Sequence, residues 1–217
     1  MSTISIIGSA GMAATIGGLA SKAGHTVEVM SRDAAKARAL AEQIGAGATT
    51  GTFGAAPAGD IVILAVPYPV VLDVVKQYGE ALAGKLIIDI TNPIKSDFSG
   101  FLIAEDTSGA QEIAKAAPAN ADIVKAFNTQ TAHVLAAGSV GGRRLELDVF
   151  IAGDDAQAKA RTSAFIESLG LRPMDVGQLP MARTLEHACM LMVGLINHSL
   201  NHSLNRTNIA LGVSLLG

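Results

Sequence analysis

The chain has no tryptophan and a single cysteine, Cys189, and only 4% of its 217 residues are aromatic. One thiol cannot close an internal disulfide, which excludes a cystine-stapled fold and fits a reducing compartment. Charge is scarce too: 16% of residues, with 16 lysines and arginines against 19 acids for a net −3. No run of basic residues occurs, which argues against nucleic acid or an anionic membrane as a partner. No charged segment leading into an apolar core opens the chain; "TISIIG" reads as a strand. The most apolar later stretch, 188–196, falls short of the roughly 20 residues a membrane-spanning helix needs. A cytoplasmic protein is the expectation.

In place of these stand small and apolar residues, 49% hydrophobic with 23 glycines, the profile of a close-packed α/β protein. Short β-branched runs at 3–7, 26–30, 60–66, 85–90, 121–127, 147–152 and 171–176 read as strands. Helical stretches near 11–23, 33–44, 69–80, 109–117, 130–136 and 154–169 alternate with them. Runs such as "DIVILAV" and "KLIIDI" are apolar throughout, as when helices cover both sheet faces. Together they predict a Rossmann-like, doubly wound and mostly parallel sheet over 1–178. One long helical segment, 181–204, dominates the remainder, 179–217, and is expected to pack on that domain.

The first strand runs into "IIGSAGMAATIGG", a glycine-rich turn of the kind that holds a dinucleotide pyrophosphate. Gly8 directly follows the strand and suits the tight turn. Alanine is an accepted variant at the packing position, Ala13. Ala10 departs from the glycine pattern, and Gly11 offers the clearance instead if the loop shifts by a residue. The helix that follows aims its N-terminus at the phosphates.

A loop selecting NAD carries an acid at the end of the second strand; here that strand ends in Ser31 and Arg32. A hydroxyl and a guanidinium suit a 2′-phosphate. Asp33 reads as the next helix's N-cap, bringing Lys36 within reach of the same phosphate. Glu28 precedes the strand end and is poorly placed for ribose. NADP(H) is therefore favoured over NAD(H). Val66, Pro67 and Tyr68 after one strand, and Thr91, Asn92 and Pro93 after another, are expected to line the nicotinamide end, since ligands of such sheets sit beyond the carboxyl ends of the strands.

These pieces, with "DIVKAFNTQTA", "IAGDDAQAKA" and "LGLRPMDVGQL", resemble in order and spacing the F420-dependent NADP oxidoreductase family. They are also similar to the reductase domain of membrane metalloreductases. The resemblance implies an NADPH site of Gly8, Ser9, Ala10, Gly11, Met12 and Ala13 with Ser31, Arg32 and Lys36. It also implies a second ring, F420 or a flavin (FMN or FAD), stacked near Pro67, Asn92, Pro93 and the loop 127–130. The C-terminal helices would then form a homodimer interface. "KAFN" is more similar to the flavin-using branch; archaeal members often carry histidine where this chain has Asn128.

Hydride transfer between two flat rings needs orientation more than acid–base chemistry, and Asn128 is a candidate donor to a ring oxygen or amide. A carbonyl or imine reductase would need a proton donor, for which Lys125 is the candidate. A non-catalytic NADP-binding redox sensor is a third reading. His198 and His202, four apart on the predicted helix, lie among Asn197, Asn201 and Asn205 and read as a polar stripe rather than a metal site. Asp154 and Asp155 read as a helix cap, not an acid–base pair.

Overall fold

The computed structural model describes residues 1–137, 139–140, 143–144, 147–199 and 210–213. Its first half runs β1 (Thr3–Ile7), α1 (Gly11–Lys22), β2 (Thr26–Met30), α2 (Ala34–Ile44), β3 (Thr49–Gly51), β4 (Ile61–Leu64) and α3 (Tyr68–Tyr78). The second half adds β5 (Leu86–Asp89), α4 (Gly109–Ala116), β6 (Asp122–Lys125), α5 (Ala132–Ala137) and a ribbon of β7 (Ser139–Val140) and β8 (Arg143–Arg144). Then come β9 (Asp148–Gly153), α6 (Ala156–Ser168), β10 (Arg172–Asp175) and α7 (Ala182–Gly194). A 3-10 turn, Leu179–Met181, leads into α7, which continues as a π-helical turn, Leu195–Ser199.

Eight strands make one sheet in the order β10-β9-β6-β5-β4-β1-β2-β3. Every neighbouring pair is parallel except β6 and β9, where Val124 opposes Gly153 and Lys125 opposes Ala152 in antiparallel register. Alternate side chains leave opposite faces of a strand, so the inner strands feed two cores. Ile4, Ile6, Val29, Ile63 and Ile88 meet Ile16 of α1, Leu40 of α2 and Phe165 of α6. Ile7, Val62, Leu64 and Ile87 meet Val71 and Val75 of α3, Ile113 of α4 and Leu185 of α7. This is the expected Rossmann-like, doubly wound α/β fold.

Among the strands, two features differ from the sequence expectation. The short β3 and the β7–β8 ribbon carry too few residues for a period-2 pattern. The strand expected over 121–127 stops at Lys125, because Phe127 takes φ +59° and turns the chain out of the sheet. Helix 181–204 is helical as far as Ser199; His202, Asn201 and Asn205 lie outside the described residues.

The expectation of no membrane-length helix is corrected as well. By length and composition alone, Leu179–His198 is apolar enough to cross a bilayer, with mean hydropathy 1.2. The contiguous run 188–196 missed it because the average spreads over turns that include Arg183 and Glu186. Its first half is packed inside the protein, with Leu179, Ala182, Leu185 and Glu186 buried.

Candidate active site

Gly8 leaves β1 at φ +132°, and a Cβ there would lie 2.1 Å from the carbonyl oxygen of Ala65. The exits of β1 and β4 are thus pressed together in a way only glycine permits. Gly11 has ordinary surroundings, a Cβ falling 3.8 Å from that of Ala132, so protein packing does not demand glycine there. Ala10 is the N-cap of α1 in extended conformation, with no side-chain cap and no acid in the first turn. The helix therefore presents uncapped N–H groups and its positive end, features that suit an anionic phosphate. Met12 and Ala13 follow in that first turn, Ala13 fully buried.

Gly8, Ser9, Ala10, Ser31, Arg32, Lys36, Val66 and Pro67 line a single cleft of about 400 Å³. The Ser9 and Ser31 hydroxyls stand 3.3 Å apart, joining the glycine loop to the close of β2. Asp33 caps α2, accepting from the amides of Ala35 and Lys36 at 3.0 and 3.1 Å. Phe53, just beyond β3, was not foreseen: it lines the same cleft, and the Arg32 guanidinium lies 5.5 Å from its ring centroid. Glu28 is withdrawn from this surface, accepting from the Ser5 hydroxyl and the Ala58 amide inside the sheet.

The other expected residues lie deeper. Tyr68 opens α3 but is buried, its ring against Gly109 of α4 rather than in the cleft. Burial, reinforced by the charge of Glu186, pushes its phenol up to about 12. Asn92 and Asn128 lock together: the Asn92 amide donates to the Asn128 carbonyl, and the Asn128 amide donates to the Asn92 side-chain oxygen, both at 2.9 Å. The second Asn128 N–H goes to the Leu185 carbonyl of α7 at 3.0 Å. Asn128 therefore has no side-chain hydrogen left to donate outward, contrary to expectation. Its side-chain oxygen is buried without a protein partner, as are Thr91 Oγ1, Thr129 Oγ1 and Gln130 Oε1. Pro93 is buried beside Asn92.

Lys125 ends β6 wholly buried, and its ammonium spends all three hydrogens on the protein. They go to Asp89 Oδ2 at 2.8 Å, the Thr91 carbonyl at 2.6 Å and Glu186 Oε1 of α7 at 2.7 Å. Burial alone would lower its pKa, but the two carboxylates outweigh that and leave it raised. The expected proton donor is therefore sequestered. Glu186 also borders a second cavity of about 350 Å³, beside Arg183, His187 and Phe101, whose ring stacks on His187 at 4.5 Å. Sequence reasoning missed this arrangement. Asp155 caps α6 and Asp154 accepts from the Leu179 amide, so neither serves as an acid–base group. His198 is exposed, and no group of metal ligands occurs among the described residues.

A family model described as NADP oxidoreductase, coenzyme F420-dependent, matches residues 3–93. The F420-dependent NADP reductase of Methanothermobacter marburgensis is 30% identical over 189 residues, covering 80% of this chain and 82% of that protein. Metalloreductase STEAP3 of Rattus norvegicus is 36% identical over 107 residues, 49% of this chain; the match spans only 20% of that longer protein. Among solved structures, a candidate F420-dependent NADP-reductase from Arthrobacter sp. FB24 matches with TM-score 0.79 and 26% identity, over 91% of this chain and 94% of that one. A glycine turn at an uncapped helix end, a basic close to the second strand and these likenesses lead to one conclusion: the chain belongs to the F420-dependent NADP oxidoreductase family.

Proposed function

We propose that the chain is an NADPH-dependent reductase passing hydride to a deazaflavin such as F420, or to a flavin, held at the strand-end rim. The close of β2 carries this reading. Ser31, Arg32 and Lys36 line the cleft, whereas the one acid of that strand, Glu28, is tied up inside the sheet. A hydroxyl and two cations suit a 2′-phosphate and give a ribose diol no acidic partner. When bound, NADPH supplies the hydride; the protein binds and orients. The N-terminus of α1 would hold the pyrophosphate, and Val66 and Pro67 give an apolar wall. The nicotinamide end would then lie toward Asn92, half-buried beyond the close of β5.

A carbonyl or imine reductase on this frame loses its proton donor, since Lys125 is enclosed. A redox sensor would bind both cofactor forms without turnover. In this reading the protein works in the cytoplasm as a homodimer joined through its C-terminal helices, with no membrane or nucleic-acid partner. The test follows NADPH absorbance anaerobically with F420, FMN, FAD and a panel of small ketones. Oxidation by a ring acceptor supports the proposal; oxidation by ketones alone, or by nothing, overturns it.

A further inference from the structure

We propose that Lys125 is a positioning residue: it fixes the rim on which the nicotinamide ring seats by clamping three elements around one ammonium. The inference rests on the cofactor reading above and adds a residue to it.

The three hydrogen bonds of Lys125 reach the end of β5 twice, through Asp89 and the Thr91 carbonyl, and α7 once, through Glu186. Each carboxylate passes the constraint on through its other oxygen. Asp89 Oδ1 accepts from the Thr91 amide at 2.8 Å, and Glu186 Oε2 accepts from the Gly109 amide at 3.1 Å. Gly109 opens α4, and a Cβ there would strike the Tyr68 ring at 2.7 Å, so this junction is close-packed. Thr91, the start of α4 and α7 are thereby held in register by one side chain. A second tie runs alongside, from Asn128 to the Leu185 carbonyl. On its other side Glu186 borders the second cavity.

Enclosing one ammonium between two carboxylates is a poor way to gain stability, because apolar replacements of buried ion pairs are often neutral or stabilising. What the arrangement supplies is direction: three short bonds with fixed geometry, where apolar packing would allow sliding. A displacement of about 1 Å at a reacting centre costs on the order of a hundredfold in rate.

The test compares the wild type with Lys125→Met and with the double variant Lys125→Met/Glu186→Gln, which leaves one fewer unpaired buried carboxylate. NADPH affinity, the nicotinamide emission of bound NADPH and single-turnover oxidation by the best ring acceptor are measured on each. Affinity is expected to stay within about twofold, since the residues proposed to hold the phosphates, Ser31, Arg32, Lys36 and the start of α1, are unchanged. Emission should move toward that of free NADPH, and the single-turnover rate should fall about tenfold to a hundredfold. A double variant that melts with the wild type and keeps its emission and rate overturns the inference. So does loss of affinity in step with rate. If the wild type binds NADPH but reduces no acceptor, the acceptor reading fails and the emission alone decides this one. A wild type that binds no NADPH ends both.

Discussion

Arg32 is exposed, yet its guanidinium lies over the Phe53 ring, which Tyr78 braces edge-on at 5.3 Å. Replacing Arg32 with alanine is expected to raise the KM for NADPH about tenfold to a hundredfold, the scale of a lost charged hydrogen bond, while leaving NADH nearly unchanged. Steady-state kinetics with both cofactors checks this; equal loss for both would remove Arg32 from the phosphate site. At Gly8 an added methyl meets a carbonyl oxygen, so Gly8→Ala should destabilise the fold by more than about 2 kcal/mol and abolish NADPH binding, read by thermal melting and titration. Burial pushes the Cys189 thiol up to about 11, so alkylation at pH 8 should be much slower than for a free thiol. Arg32 and Gly8 were legible in the sequence because a rule about strand ends names their positions. Lys125 was legible only as a residue type: its carboxylates lie 36 and 61 positions away, beyond any local pattern. Phe53 follows a strand of three residues that no periodicity reveals.

The long elements could be read because their patterns repeat. Unbroken apolar runs marked β4 and β5, β-branched residues marked β1, and capping chemistry marked the starts of α2 and α6, where Asp33 and Asp155 accept the first amides. The end of β6 could not be read, since the turn at Phe127 is a backbone choice that apolar "VKAF" does not advertise. Helix α7 is buried at its start and carries an exposed leucine further along. Ala182, Leu185 and Glu186 are buried, whereas Leu191 is 59% exposed. The proposed homodimer would bury this leucine. If the proposed homodimer forms there, Leu191→Glu should yield monomers in sedimentation while leaving the melting midpoint within a few degrees. A variant that stays dimeric would move the interface elsewhere.

Across the whole molecule, one ion pair ties the far edge of the sheet to the described tail. Asp148 of β9 accepts from Arg172 of β10 and from the Val213 amide. The hydrogen bonds from Arg172 hold its carboxyl below the ordinary aspartate range, against the opposing effect of burial. Its stabilisation is therefore complete above the ordinary aspartate pKa of about 3.9 and is lost as pH falls through the depressed value. Melting midpoints taken through that window should fall less steeply for Asp148→Asn than for the wild type; parallel curves would assign the acid limb to other groups. The one reversed junction in the sheet, between β6 and β9, has a wider effect. A helix that follows a forward strand descends away from the carboxyl-end rim, but α7 follows a backward one and so climbs toward it. The opening ninety residues build the cleft at the close of β1 and β2, while the last helix arrives from below beside the ends of β5 and β6. Substitutions along 187–199 thus fall on the opposite approach to that rim and leave the residues of the cleft untouched.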